Sequence, residues 1–402
     1  MRERFPLLPV RFPQPPSWPG LSGPPAAGRA GGHDVRGLRR VLFALACACL
    51  LPAAGAVPRD PASPAAAAQR QPLTRGINLT NWFRFPPSRA PAALGAYLSN
   101  QALADLRAAG FDFVRLAVDP AIIATAPGRG VLIGAIRRVE LQGFAVVVSP
   151  HPQGWRLEAE PAPLIAFWRS LAPELRALDQ ARTVPEILNE PVFPGDPAGW
   201  RALQHAVLHD IRRALPAATI VLTGQDWGSI DGLLALAPED DRNVLYSFHL
   251  YDPPELTSLA AYRSGLDRAA LAKLPFPVDD PSRCEAAAGT ARDPATAGLM
   301  RYYCGFGWDA GRIGASLDRL AAWAQQHRVT LLAGEFGATV SLNASARLAW
   351  LKTVRDGLET RGIGWALWGY DDVMGFALQP PPGPRPRLDP AVLSALGLAQ
   401  RR

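Results

Sequence analysis

Cysteine is scarce in this chain of 402 residues, with only Cys47, Cys49, Cys284 and Cys304. Two of the four lie in a segment expected to be removed, and the remaining pair cannot build a cysteine-based metal site. Charge of one sign is scarcer than it looks. The net charge is +7, but Arg2, Arg4, Arg11, Arg29, Arg36, Arg39 and Arg40 against Glu3 and Asp34 place +5 of it in residues 1–56. The +2 that remains excludes a strongly basic surface, so neither nucleic acid nor an anionic membrane is expected as a partner. Long apolar runs are missing too. The run Val41–Leu51 is too short for a comfortable membrane span. There is no internal repeat, no Ser/Thr-rich linker, and no G-x-G-x-x-G turn after the first strand-like run that would support a doubly wound dinucleotide fold.

What is there begins with an address. "GLRRVLFALACACLLPAAGAVPRD" has a positive n-region ending at Arg39-Arg40, a short apolar stretch and an A-x-A site at Ala54-Gly55-Ala56. It reads as a secretory signal peptide within residues 1–56, which makes the expected location secreted or periplasmic. An uncleaved anchor, a twin-arginine route and a lipoprotein site at Cys47 are the alternatives. The Pro/Gly-rich residues 1–34 suggest an over-extended start. Residues 57–74 form a Pro/Ala-rich leader. In an oxidising compartment Cys284 and Cys304 are expected to pair, closing a loop of about twenty residues worth roughly 3 kcal/mol, against the alternative of two free thiols.

From Arg75 to the end, eight apolar runs alternate with amphipathic stretches. The runs are "RGINL", "FDFVRLAV", "FAVVVSP", "VPEILNE", "TIVLTG", "NVLYSFHLY", "TLLAGEFG" and "GIGWALWGY". The stretches between them carry apolar residues at helical spacing. Eight such units over about 300 residues predict an α/β chain folded as a single (β/α)8 TIM barrel spanning 75–402, with an open sheet as the alternative. A Pro-rich loop and a closing helix are expected after residue 378.

A barrel of this kind places its active site at the C-terminal strand ends. Strand four stops at Asn189-Glu190-Pro191, and strand seven ends in Glu335. Around them the other ends offer Arg115, His151, His249 and Tyr251. Two carboxylates facing one another across the mouth suit the cleavage of an acetal. One protonates the leaving oxygen, and the other, about 5 Å away, attacks the sugar carbon. The acid is expected to be raised in proton affinity by burial or by a like charge. Arg115 is expected to support the nucleophile's charge, Tyr251 to donate to it, His249 to tune the acid, and Asn189 to bind the 2-hydroxyl of the reacting sugar.

Indoles in or beside strand-end loops can stack on the apolar face of a sugar. Trp368 is the foremost candidate, with Trp82, Trp155, Trp227 and Trp308 behind it. Trp168, Trp200, Trp323 and Trp350 fall in helical stretches and are assigned to the core. His205 and His209 share a helix face but lack a following Glu, and read as solvated. The sequons at Asn78 and Asn343 carry no assigned meaning, and Asn78 is expected to end strand one.

With "FVRLAV", "ILNEP", "FHLY", "LAGEFG" and "WALWGY" in this order, the chain resembles family-5 glycoside hydrolases, the cellulase family of the retaining clan, over about Arg75 to Leu398. The resemblance implies Glu190 as acid/base, Glu335 as nucleophile, and no metal or organic cofactor. It implies a β-linked polysaccharide or oligosaccharide as substrate, with an endo-β-1,4-glucanase foremost. Mannan, xyloglucan, β-1,3- or β-1,6-glucan and bacterial exopolysaccharide are the other substrates, and a transglycosylase or a non-catalytic glycan-binding barrel the other activities. The pattern departs at strand three, where Ser149 stands in place of a frequent acidic residue two positions before His151. The segment 252–311 is the expected specificity element. No stable membrane partner is expected after signal cleavage, and the protein is expected to be a monomer.

Overall fold

A computed structural model describes residues 73–372, 375, 376, 378 and 387–398. The expected signal peptide, nearly all of the Pro/Ala-rich leader and most of the Pro-rich loop lie outside them. Eight strands form one parallel sheet: β1 Arg75–Phe83, β2 Phe113–Val118, β3 Ala145–Pro150, β4 Thr183–Pro185, β5 Ile220–Thr223, β6 Val244–Leu250, β7 Thr330–Phe336 and β8 Gly364–Leu367. Their order is β4-β3-β2-β1-β8-β7-β6-β5, and a bridge between Glu186 and Val221 joins the two outer strands. The sheet is thereby nearly closed into the expected barrel.

The long helices fall on the amphipathic stretches, at 100–109, 126–141, 162–175, 197–214, 310–327 and 344–360. Several start on a side-chain cap: Ser99, Thr125, Asp196, Asp309 and Asn343 each accept from a backbone N–H of the first turn. The closing helix is Pro390–Ala395. No helix among the described residues is long and apolar enough to cross a membrane. Between β6 and β7 the chain makes a long excursion, in which a disulfide between Cys284 and Cys304 ties helix 281–288 to helix 294–306 with Cα atoms 5.7 Å apart.

Inside the barrel, side chains change character with height. A buried apolar plug of Phe113, Ala145, Val147, Val184, Val221, Leu332 and Ala366 fills the lower part. Gly76 is required beside it, because a Cβ there would sit 2.2 Å from the Phe113 ring. Two residues further along the same strands the inward positions turn polar, to Asn78, Arg115, Ser149 and Glu186, all fully buried. Polar groups at that depth must satisfy one another.

Three expectations change here. β4 ends at Pro185, not at Glu190. The chain to Glu190 is still tied down, by Glu186 N–H to Val148 O (2.9 Å), Ile187 N–H to Val221 O (3.0 Å) and Asn189 N–H to Pro150 O (3.1 Å). Asn78 lies in the middle of β1 and is wholly buried, so its sequon is inaccessible. Trp82, a candidate sugar platform, is fully buried. Its indole N–H donates to Leu94 O at 2.7 Å and its ring stacks on Tyr97, so it serves the core.

Candidate active site

The site is organised around Arg115 on β2, whose guanidinium is fully buried. It grips Glu186 with two bonds, Nε to Oε2 at 2.6 Å and Nη2 to Oε1 at 2.8 Å. Nη1 donates to Glu335 Oε1 at 2.6 Å and to Asn78 Oδ1 at 2.9 Å. Nη2 also reaches Ser149 Oγ at 3.0 Å and Asn189 Oδ1 at 2.8 Å. Burial alone would lower the proton affinity of this group, but the charges of Glu186 and Glu335 raise it. Asn78 is held in turn by its amide, which donates to Gly334 O, Ala366 O and Leu367 O.

Glu335 stands on β7, where the pairing with β6 slips by one residue between Phe248 and His249. In regular register Gly334 would face His249; the slip puts Glu335 there instead, a re-aiming typical of bulges beside functional sites. Its second oxygen, Oε2, accepts from Tyr251 Oη at 2.9 Å. Burial, together with the charges of Glu335 and Glu190, pushes the Tyr251 phenol well above its ordinary value, so it remains a donor.

Glu190 sits across the mouth with its side chain about a third exposed. His249 Nδ1 lies 3.1 Å from its Oε1 and 3.5 Å from Glu335 Oε2. One oxygen of Glu190, one of Glu335 and a ring nitrogen of His249 all lie within 4.8 Å of one another. The acid does not follow the expected direction. Burial pushes Glu190 up, but the hydrogen bond and charge of His249, with Arg84 and Arg115 behind it, carry it below its usual value. Burial pushes His249 down, and the charges of Glu335 and Glu190 with the bond to Glu190 carry it up. Each partner thus favours the charged form of the other. Glu190, His249 and Glu335 are also grouped closely enough to ligate a metal ion. The Arg115 guanidinium already in contact with Glu335 opposes a second cation there.

His151 is buried beside the pair, its ring 5.8 Å from that of Trp368 and nearly parallel to it. Burial and the charges of Arg84, Arg115 and His249 hold His151 well below its ordinary value, so it is neutral. Neither of its ring nitrogens has a partner among the described residues. Trp368, the foremost candidate for a sugar platform, lies directly after β8 but is only 1% exposed, with the Arg84 guanidinium 5.4 Å from its ring. Trp227 is half-buried in the segment after β5, its backbone N–H donating to Pro191 O at 3.3 Å. Trp155 and Trp308 are half-buried as well, Trp155 with its edge against Phe167 and Trp308 stacked on Phe306.

On the rim at β8, Asp371 is buried and pushed up to about 7 by that burial and by the charge of Asp372. Asn81 donates to the main-chain oxygen of Asp371.

Sequence reasoning gave no role to Glu186, Asn78, Arg84 or Asp371. For Glu186 a signal was present: it lies two residues after Val184, on the same inward parity, and four before Glu190. Ser149, noted only as a departure, proves to be an acceptor for Arg115.

A family model described as cellulase (glycosyl hydrolase family 5) matches residues 74–372. Endoglucanase 3 of Fibrobacter succinogenes is 28% identical over 198 residues, 46% of this chain but only 29% of that protein's length. Endoglucanase C of Acetivibrio thermocellus is 22% identical over 316 residues, 73% of this chain and 90% of that one. Among solved structures, endoglucanase Cel5A from Thermotoga maritima superposes with a TM-score of 0.64 at 22% identity, covering 82% of this chain and 99% of its own. The cellulose synthase subunit Z of Clostridioides difficile superposes at 0.62 with 22% identity, covering 81% and 99%. These structural likenesses speak for the barrel. Because the family match runs from the start of β1 to the rim at Asp372, through both carboxylates and the arginine between the strands, this chain belongs to the cellulases of glycosyl hydrolase family 5.

Proposed function

We propose that the protein is a retaining endo-β-1,4-glucanase, with Glu335 as nucleophile and Glu190 as acid/base. The observation that carries this reading is the unequal dress of two carboxylates within 4.8 Å of one another. Glu335 is fixed through both oxygens by Arg115 and Tyr251, whereas Glu190 is partly exposed and bonded to a titratable partner. The fixed group suits attack on carbon, and the proton-exchanging one suits acid and base work.

In the first step a Glu335 oxygen bonds to the anomeric carbon as the glycosidic C–O bond breaks. The leaving oxygen takes the proton held by the Glu190–His249 pair, delivered through Glu190. In the second step Glu190 removes a proton from water, the water oxygen bonds to the anomeric carbon, and Glu335 departs. The short separation leaves no room for water between carboxylate and sugar, so configuration is retained. Asn189, whose Oδ1 is held by Arg115, keeps its amide N–H groups for the 2-hydroxyl of the reacting sugar. We further propose that the protein acts outside the cytoplasm, a reading supported by its disulfide and by the signal-like segment.

The test is reducing-end release from carboxymethylcellulose, mixed-linkage glucan, laminarin, mannan and xylan, with Glu335→Gln in parallel. Internal cleavage of the β-1,4-glucans, lost by about a thousandfold or more in the variant, is expected. Cleavage confined to mannan or laminarin would transfer the reading to that glycan, and silence on every substrate would favour a binding barrel.

A further inference from the structure

The mouth of the barrel contains a cation that the reaction does not require. Arg84 follows the last residue of β1 and turns over the rim, where its guanidinium carbon lies 5.4 Å from the Trp368 ring and 4.7 Å from the Phe85 ring. It is half-buried, and its Nε is cut off from solvent without a hydrogen-bond partner among the described residues. Arg89, five residues on, has Asp119, and Arg75 at the foot of the same strand has Glu359. No carboxylate among the described residues lies within ion-pair distance of Arg84. Its field nevertheless reaches the reacting groups, since its charge contributes to the lowering of both Glu190 and His151.

We propose that Arg84 is a specificity residue for an acidic β-glycan, binding a carboxylate on a sugar that enters the cleft beside it. This rests on the glycosidase reading above and narrows its substrate class. A sugar entering the cleft strips water from Arg84 and leaves the guanidinium beneath it. A neutral glucan offers only hydroxyl oxygens in return, which do not offset the desolvation of a full charge. A uronic acid offers two coplanar oxygens that match the guanidinium fork, through bonds roughly twice as strong as neutral ones. The carboxylate is held at the rim by Arg84, apart from Glu335, whose own cation is Arg115. The aromatic rings of Trp368 and Phe85 hold the guanidinium in place.

The experiment uses the full chain carrying Glu335→Gln, so that binding is measured without turnover. Titration calorimetry compares cellohexaose with the same oligosaccharide oxidised at C6 to glucuronate. The acidic ligand is expected to bind about tenfold more tightly, with the advantage shrinking between about 0.05 and 0.5 M NaCl. Adding Arg84→Met is expected to bring the two affinities to within about threefold of each other, while Arg84→Lys keeps part of the preference because it keeps the charge but not the fork. Equal affinity for the two ligands before Arg84 is changed, or an equal loss on both after it, would overturn the proposal. If Arg84→Met fails to fold, the Arg84→Lys ratio and the salt dependence decide. The hydrolysis reading fails separately, when the unmodified protein cleaves none of the glycans yet the Glu335→Gln protein still discriminates between these two.

Discussion

Replacing Glu186 by Gln tests how the site is held together, because it changes the charge with almost no change of shape. Glu186 and Arg115 are both inaccessible to solvent and share two short bonds, of 2.6 and 2.8 Å. An amide retains one acceptor and turns its NH2 group toward a guanidinium N–H, leaving two donors face to face with no water to separate them. Removing one partner of a buried ion pair costs about 3–5 kcal/mol. Asn78, Ser149, Asn189 and Glu335 still bond Arg115, so the lower value, about 3 kcal/mol, applies. For a barrel of this size, at about 2–4 °C per kcal/mol, Tm should fall by about 6–12 °C. Glu186 is a positioning residue that touches no substrate in this scheme. A displacement of Arg115 moves Glu335 and Asn189 with it, and kcat should fall by about 10–100-fold while KM changes little. Thermal unfolding followed by circular dichroism, alongside steady-state kinetics on soluble glucan, measures both. A variant that loses less than about 2 °C and keeps its kcat would refute the argument, since Arg115 would then be held without its strongest partner.

Two further perturbations concern protons. The raised affinity of His249 contributes stability that is complete below its unfolded value of 6.5 and is lost as pH rises through the raised value. The lowered Glu190 contributes stability that is complete above 4.5 and is lost as pH falls through the lowered value. The ionised pair is intact only between these limits, so activity should decline on the alkaline side as the imidazole gives up its proton. In His249→Gln that proton has only the carboxylate, and the alkaline limb of the kcat/KM profile should move to lower pH; an unmoved limb sinks the coupling of the two groups. Asp371, raised from 3.8 to about 7, binds its proton more tightly in the folded state, so its contribution falls as pH rises across that interval. At about 1.4 kcal/mol per unit the loss amounts to about 4 kcal/mol. Asp371→Asn should therefore flatten the decline of the urea midpoint between pH 4 and 7, and a slope matching the unmodified protein would count against the burial argument.

Periodicity made the barrel legible, because each strand and each long helix buries a face whose spacing is written in the residues themselves. The residues near strand ends were legible for the same reason: His249 and Glu335 follow from knowing where an apolar run stops, whereas Arg115 stands inside β2, where a charge within an apolar run is itself the signal. What escaped were properties that depend on neighbours across the sheet. Trp82 sits in a strand-end stretch like a sugar platform, yet it points outward from the barrel into the helical layer, where Leu94 O takes its N–H. The slip that turns Glu335 inward arises between β6 and β7, so neither strand announces it alone. The direction of the Glu190 shift depends on His249, fifty-nine positions away, standing 3.1 Å from its oxygen.

The strand that must end explains the remaining oddity. Glu190 has a left-handed backbone, with φ of 44°. For a residue with a side chain this costs about 1–2 kcal/mol, so the surroundings must enforce it. They do so from both sides. Asn189 is tied to Pro150 O by its N–H and to Arg115 by its side chain, while Pro191 cannot continue a ladder and its carbonyl accepts from Trp227. Between two anchored neighbours the chain turns sharply at Glu190. The turn lifts its carboxylate out of the fully buried layer that contains Glu186 to a level where it remains partly exposed. There one carboxylate can exchange protons with water and with His249, while the other, four residues earlier on the same segment, remains permanently paired with Arg115.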